Sequence, residues 1–218
     1  MIPSLGWAVS RLLVAFATGV LRTPSPVSPV ETSEPQLVIR IYDSTAASPK
    51  TVAIAGEEAV RILRHAGLDA TWLDCSDYRL EHAPEPACAR PVGPAEVILR
   101  ILPHPEARSR FADETSGFSM LPDDGGPGVF AGVFRDRVRR IPRTTDAWGF
   151  RIIGLLAAHE IGHLLLGSNS HSGTGIMRSG LFEKSLEDTA WGHLCFSPSE
   201  AERMRAELRS RVEITNRR

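Results

Sequence analysis

Between Ala147 and Gly167 the chain reads AWGFRIIGLLAAHEIGHLLLG, and its only ionisable side chains are Arg151, His159, Glu160 and His163. A segment apolar on nearly all its faces is a buried helix, so the rest of the fold must cover it. Ionisable groups inside such a helix must be paired, neutral or bound to a metal. Gly167 stands where a left-handed residue would end the helix. Thr144 or Thr145 stands where a hydroxyl would cap its start.

The elements before this helix follow from period and punctuation. Gln36–Asp43 alternates Leu37, Ile39 and Ile41 with Val38, Arg40 and Tyr42, the pattern of a strand. Ser48-Pro49-Lys50 opens a helical stretch to Ala66, with Gly67 just past its end. Ala70–Leu73 reads as a second strand and Glu96–Leu102 as a third. Between them, the proline-rich stretch Cys75–Pro94 reads as a loop. Pro103–Gly117 reads as irregular. Gly128–Ile141 reads as a fourth strand, launched by the turn signal Asp123-Asp124-Gly125-Gly126-Pro127; a calcium site at Asp123 and Asp124 is the lesser reading. The order is β-α-β-β-β-α, followed by a small helical C-terminal part. There, Leu181–Leu194 reads as a short helix. Ser197-Pro198-Ser199-Glu200 has the form of a capping box with proline at the first helical position. In the last helix Ala201, Met204, Leu208 and Val212 share one face, and arginines and glutamates alternate along the outside.

At the other end, Leu12–Leu21 is a ten-residue apolar run flanked by Arg11 and Arg22. It is too short to span a bilayer as a helix, which takes about 20 residues, and has the length of a secretory signal core. Thr23–Pro35 carries Pro24, Pro26, Pro29 and Pro35 and reads as an extended linker. The expected organisation is a signal peptide or anchor over 1–22, a linker over 23–35 and one folded domain over 36–218. A net charge of −1 among 218 residues argues against nucleic-acid binding by bulk charge and against a polybasic membrane surface. Three cysteines are too few for a disulfide scaffold or a four-cysteine zinc site. Cys75 and Cys88 flank the proline-rich loop and can pair if the chain is exported.

His159-Glu160-Ile161-Gly162-His163 places two imidazoles four residues apart, on one helical face and about 5–6 Å from each other. That spacing suits two nitrogen ligands of one tetrahedral zinc. Glu160 lies beside them, where a carboxylate can take a proton from water. A catalytic zinc needs a third protein ligand. His171, beyond the Gly167 turn, can return to the metal from the loop, and Met177 follows six residues later. Glu183, twenty residues past His163, is the rival third ligand, with Asp188 an outside candidate. The remaining histidines (His65, His82, His104 and His193) read as isolated side chains.

The run from His159 to Met177 resembles the metzincin clan of zinc metalloproteases, whose motif is H-E-x-x-H-x-x-G-x-x-H followed by a methionine turn. The β-α-β-β-β-α order is similar to that clan's upper subdomain. This chain departs from the pattern by one residue before the glycine and one after it, and Arg178, not tyrosine, follows the methionine. The resemblance implies an α+β zincin fold: a mixed twisted sheet with an antiparallel edge strand, a long active-site helix and a small C-terminal helical subdomain. It implies a zinc cofactor held by His159, His163 and His171, with Met177 beneath the metal, Gly167 at the helix end and Glu160 as general base. The implied activity is peptide-bond hydrolysis on a protein or peptide, with the strand Gly128–Phe134 bordering the cleft and pairing with an extended substrate. Two alternatives stay open: a zinc-stabilised binding domain without turnover, and a metal-dependent amide hydrolase acting on a non-peptide or cell-wall substrate. The expected setting is a monomer, secreted or in the cell envelope, with no nucleic-acid partner and no membrane contact beyond the N-terminal segment.

Overall fold

The computed structural model describes residues 34–76, 86–104, 115–123, 128–140, 145–179 and 194–217. The leader, most of the linker, Asp124, His82, His193 and the stretch holding Glu183 and Asp188 lie outside the described residues, as does most of the helix expected over 181–194.

The chain opens with strand β1 (Leu37–Asp43), helix α1 (Pro49–His65) and strand β2 (Ala70–Asp74). Ser48 caps α1 by accepting the Thr51 N–H, with proline at the helix start. A one-turn helix, α2 (Pro86–Ala89), precedes β3 (Glu96–Leu102). Strands β4 (Gly117–Met120) and β5 (Phe130–Phe134) follow, then α3 (Arg135–Arg139), α4 (Asp146–Leu166) and α5 (Pro198–Asn216). The sheet order is β2-β1-β3-β5-β4. The first four strands in that order are parallel, and β4 runs antiparallel to β5 at the edge. This is the expected α+β architecture with an antiparallel edge strand.

Three local expectations change. β4 was hidden within and beyond the stretch read as irregular: Gly-Phe-Ser-Met has neither the length nor the alternation that marks a strand, and pairing with β5 makes it one. The expected strand Gly128–Ile141 ends at Phe134, because Arg135–Arg139 turns into α3, where only Val138 is buried. The third correction concerns the cleft. Gly128–Phe134 contains β5, which is hydrogen-bonded to β3 on one side and β4 on the other. It has no free edge for a peptide; among the described residues the outer strand on that side is β4.

Leu37, Ile39 and Ile41 of β1, Val97, Leu99 and Ile101 of β3, and Ala131 and Val133 of β5 are fully buried, in one cluster with the apolar residues of α1 and α4. By length and composition α4 passes for a membrane span, yet 89% of its apolar window is buried inside the protein. It is the central core helix, capped by Thr145. On β1, Arg40 is buried rather than solvated. It pairs with Glu96 of β3 and donates to the carbonyls of Arg90 at 2.8 Å and Pro91 at 3.0 Å, which is how a buried guanidinium is tolerated. Cys75 and Cys88 form a disulfide with Cα atoms 5.7 Å apart, and Cys195 is a free thiol.

In α5 the Ser197–Glu200 capping box is complete. Ala201, Met204 and Leu208 are buried, but the next buried position is Arg211, not Val212. Several arginines of this helix serve the ends of other helices instead of forming a purely solvated face. Arg203 donates to the Leu166 carbonyl, Arg211 to that of Leu164, and Arg205 to that of Ala66. These are last-turn carbonyls of α4 and the C-cap carbonyl of α1, groups without partners inside their own helices.

Candidate metal centre

The helical repeat brings His159 and His163 onto one face of α4, both more than nine-tenths buried. Gly167 ends the helix at φ +61°, in the left-handed region that lets the chain reverse within one residue. The N–H groups of Gly167 and Ser168 both reach the His163 carbonyl. The loop then runs to Ser172, whose N–H donates to the Met177 carbonyl at 2.8 Å, closing a tight return. His171 lies in that loop and is exposed. Its ring stacks beside His159, with centroids 5.3 Å apart, and stands edge-on to His163 at 4.9 Å. One ligand nitrogen from each of His159, His163 and His171 lies within 4.8 Å of the others. Among the described residues this is the one cluster of at least three His, Cys, Asp or Glu side chains able to hold a metal ion.

The backbone decides which nitrogen each buried ring offers. His159 Nδ1 is 2.7 Å from the Ile176 carbonyl, and His163 Nδ1 is 2.7 Å from the Ser168 carbonyl. A carbonyl only accepts, so each Nδ1 carries its proton and donates. Both Nε2 atoms of the neutral rings therefore present lone pairs. Those two atoms face each other at 3.1 Å. Two lone pairs at that distance repel unless a cation lies between them. Tetrahedral zinc with N ligands at about 2.0–2.1 Å puts its ligand nitrogens about 3.3–3.4 Å apart. The donor set thus fits zinc in type, tautomer and spacing, and the carbonyls of Ser168 and Ile176 hold the rings as outer hydrogen-bond acceptors do in metal sites.

Burial reinforces the neutral state. It pushes the His159 imidazole down to about 4, with the neighbouring histidines adding to the shift and the Ile176 hydrogen bond opposing it. His163 is lowered for the same leading reason. Protons therefore compete weakly with a metal at neutral pH.

Met177 is buried beneath the same helix. Gly162, on the turn between the two histidines, is what lets it approach. A methyl group at Gly162 would sit 2.6 Å from the Met177 sulfur and 2.6 Å from the Phe196 ring. The residue before Met177 supplies the carbonyl that orients His159, so the turn at Ile176 and Met177 both packs against the helix and sets a ring.

Glu160 projects toward the edge strand. Its carboxylate Oε2 accepts the Ser119 hydroxyl at 2.6 Å, and the same hydroxyl lies 2.9 Å from the Glu160 main-chain carbonyl. On the other side Gly117 leaves space: a Cβ there would fall 2.6 Å from Oε1. Burial lifts the Glu160 carboxyl to about 7, with the Ser119 hydrogen bond pulling the other way. Neither Gly117 nor Ser119 carried a recognisable signal, because a four-residue edge strand acquires its position only through β5.

No family model matches the sequence, and no curated protein matches it. Among solved structures the chain is similar to a zinc-dependent peptidase from Methanocorpusculum labreanum, at 16% identity and a TM-score of 0.43, covering 78% of this chain and 99% of that one. It is also similar to archaemetzincin from Methanopyrus kandleri, at 11% identity and a TM-score of 0.48, covering 80% of this chain and 96% of that one.

Proposed function

We propose that this protein is a zinc-dependent metallopeptidase of metzincin type. The observation that carries the reading is the pair of Nε2 lone pairs of His159 and His163 held 3.1 Å apart, with His171 alongside and the Glu160 carboxylate on the same helix. His159, His163 and His171 would hold the ion. Zinc bound there supplies Lewis-acid polarisation of a scissile carbonyl and acidifies a water. Glu160 takes a proton from water and passes it to the leaving amine. A structural zinc site would have no use for such a base. Among the described residues β4 is the outer strand on its side of the sheet, and its edge would give an extended peptide a place to add as a further strand, with main-chain hydrogen bonds supplying affinity. Gly167, Met177 and the tight return between them support the metzincin reading over the one that uses Glu183.

The protein is proposed to act outside the cytoplasm. The Cys75–Cys88 disulfide belongs to an oxidising compartment, and the apolar run Leu12–Leu21 has the character of an export signal.

The test is hydrolysis of fluorescein-labelled casein by the zinc-loaded wild type and by Glu160→Ala, with zinc per chain measured in both. Turnover that is lost in the variant while zinc is retained supports the reading. Equal turnover, or none from a wild type that holds zinc, refutes proteolysis. A panel of non-peptide and cell-wall amides separates a peptidase from another amide hydrolase.

A further inference from the structure

We propose that Ser119 is the positioning residue for the general base: its hydroxyl ties the Glu160 carboxylate to edge strand β4 and fixes the direction in which the base acts. This rests on the metallopeptidase reading above. A glutamate side chain has several rotamers available, and a base works only when its oxygen lies within hydrogen-bond reach of the proton it removes. Among the described residues Ser119 supplies the one side-chain hydrogen bond to Glu160. At 2.6 Å it has the short length of an O–H donating to a carboxylate. The same hydroxyl also lies 2.9 Å from the Glu160 main-chain carbonyl, but its single proton serves the shorter contact to Oε2.

Strand register explains why these groups meet. Ser119 stands opposite Ala131 and Gly117 opposite Val133, so both belong to the same face of β4, with Phe118 on the other. Ser119 holds Oε2. Gly117 takes up the space beside Oε1 without a side chain of its own. Oε1 accepts no hydrogen bond from any described residue and is left for the reacting water. Holding one oxygen and freeing the other gives the carboxylate a single working orientation. Because β4 is also the outer strand on that side of the sheet among the described residues, the element that would align a substrate aligns the base as well.

The test uses full-length Ser119→Ala and Ser119→Thr with Glu160→Ala as reference, assayed on fluorescein-labelled casein with zinc per chain measured. Ser119→Ala should keep wild-type zinc and KM while kcat falls roughly 10- to 100-fold, and Ser119→Thr, which keeps the hydroxyl, should recover most of that loss. Thermal unfolding of the metal-free proteins gives a second readout that needs no turnover. The Tm loss caused by Ser119→Ala should shrink by about half or more when Glu160 is already alanine. An unchanged kcat in Ser119→Ala, or an equal Tm loss in both backgrounds, overturns the proposal. If Glu160→Ala itself retains full turnover, the peptidase reading fails, and the unfolding cycle still decides whether Ser119 and Glu160 act as a pair.

Discussion

Two regions converge on Glu160 by different routes. Helix α4 and its following turn bring His159, Glu160, His163, Gly167, His171 and Met177 together within nineteen residues of chain, by helical period and two left-handed glycines, Gly167 and Gly175. Strand β4 reaches the same carboxylate across a separation of 41 residues, through sheet pairing alone. The first region's geometry is a local consequence of sequence. The second depends on β5 having already found its place beside β3, so its residues look ordinary until the sheet exists. The contrast teaches that a candidate metal-binding cluster can be recognised from spacing, whereas the groups that hold the neighbouring carboxylate cannot.

The largest test of this contrast lies in the local region. Removing one imidazole, as in His163→Ala or His171→Ala, should abolish stoichiometric zinc, measured by metal analysis after dialysis, while Glu183→Ala keeps it. Zinc lost from Glu183→Ala and kept in His171→Ala would move the third ligand out of the helix–turn unit and break the comparison.

A smaller effect comes from the buried carboxylate and has a definite sign. The Glu160 carboxyl is lifted from 4.5 to about 7 in the fold. Its protonated form is therefore favoured in the native state, and native stability falls as pH rises from about 4.5 through 7. Glu160→Gln does not titrate. In metal-free protein its stability advantage over wild type should grow across that window to a few kcal/mol and then level off, since each tenfold change in proton affinity is worth about 1.36 kcal/mol. Urea unfolding at several pH values measures it, and a flat difference would show that the fold does not desolvate the carboxylate. His159, depressed to about 4, acts in the opposite direction in both proteins: stability is lost as pH falls from about 6.5 through 4. That contribution cancels in the difference.

Gly162→Ala sets local propensity against tertiary packing. Within a helix, glycine to alanine normally adds about 1 kcal/mol of stability. Here the new methyl meets the Met177 sulfur and the Phe196 ring, each at 2.6 Å. The expected outcome is a loss of about 1–3 kcal/mol in chemical unfolding; a gain would mean that Met177 and Phe196 are not packed against the helix. The smallest effect is the most local one. Ser197→Ala removes the hydroxyl that accepts the Glu200 N–H in the α5 capping box and should cost about 1 kcal/mol. Thermal unfolding would check it.

Much of the fold is legible where a short window holds the whole signal. The caps at Ser48 and Ser197, the glycine stop at Gly167 and the alternation in β1 and β3 all turn on neighbouring residues. The misjudged elements share a different property. Gly117–Met120 becomes a strand only by pairing, and Arg135–Arg139 turns helical although it follows a genuine strand without punctuation. The buried side of α5 admits Arg211 because the Leu164 carbonyl is there to receive it. Arg40 looks like the polar face of β1 until Glu96 and two carbonyls are seen to enclose it.

The buried helix, the spacing of its histidines and glutamate, and the caps and stops that place them are all written in the residue order, because helical geometry acts over four residues and needs no distant partner. Only the assembled fold made β4 the edge, set Ser119 and Gly117 beside the Glu160 carboxylate, aimed the carbonyls of Ser168 and Ile176 at the histidine rings, and brought Cys75 to Cys88. These last features are contacts between separate segments or across a turn. Which groups meet there depends on chain closure and on what else is packed nearby, information that no short stretch of residues contains.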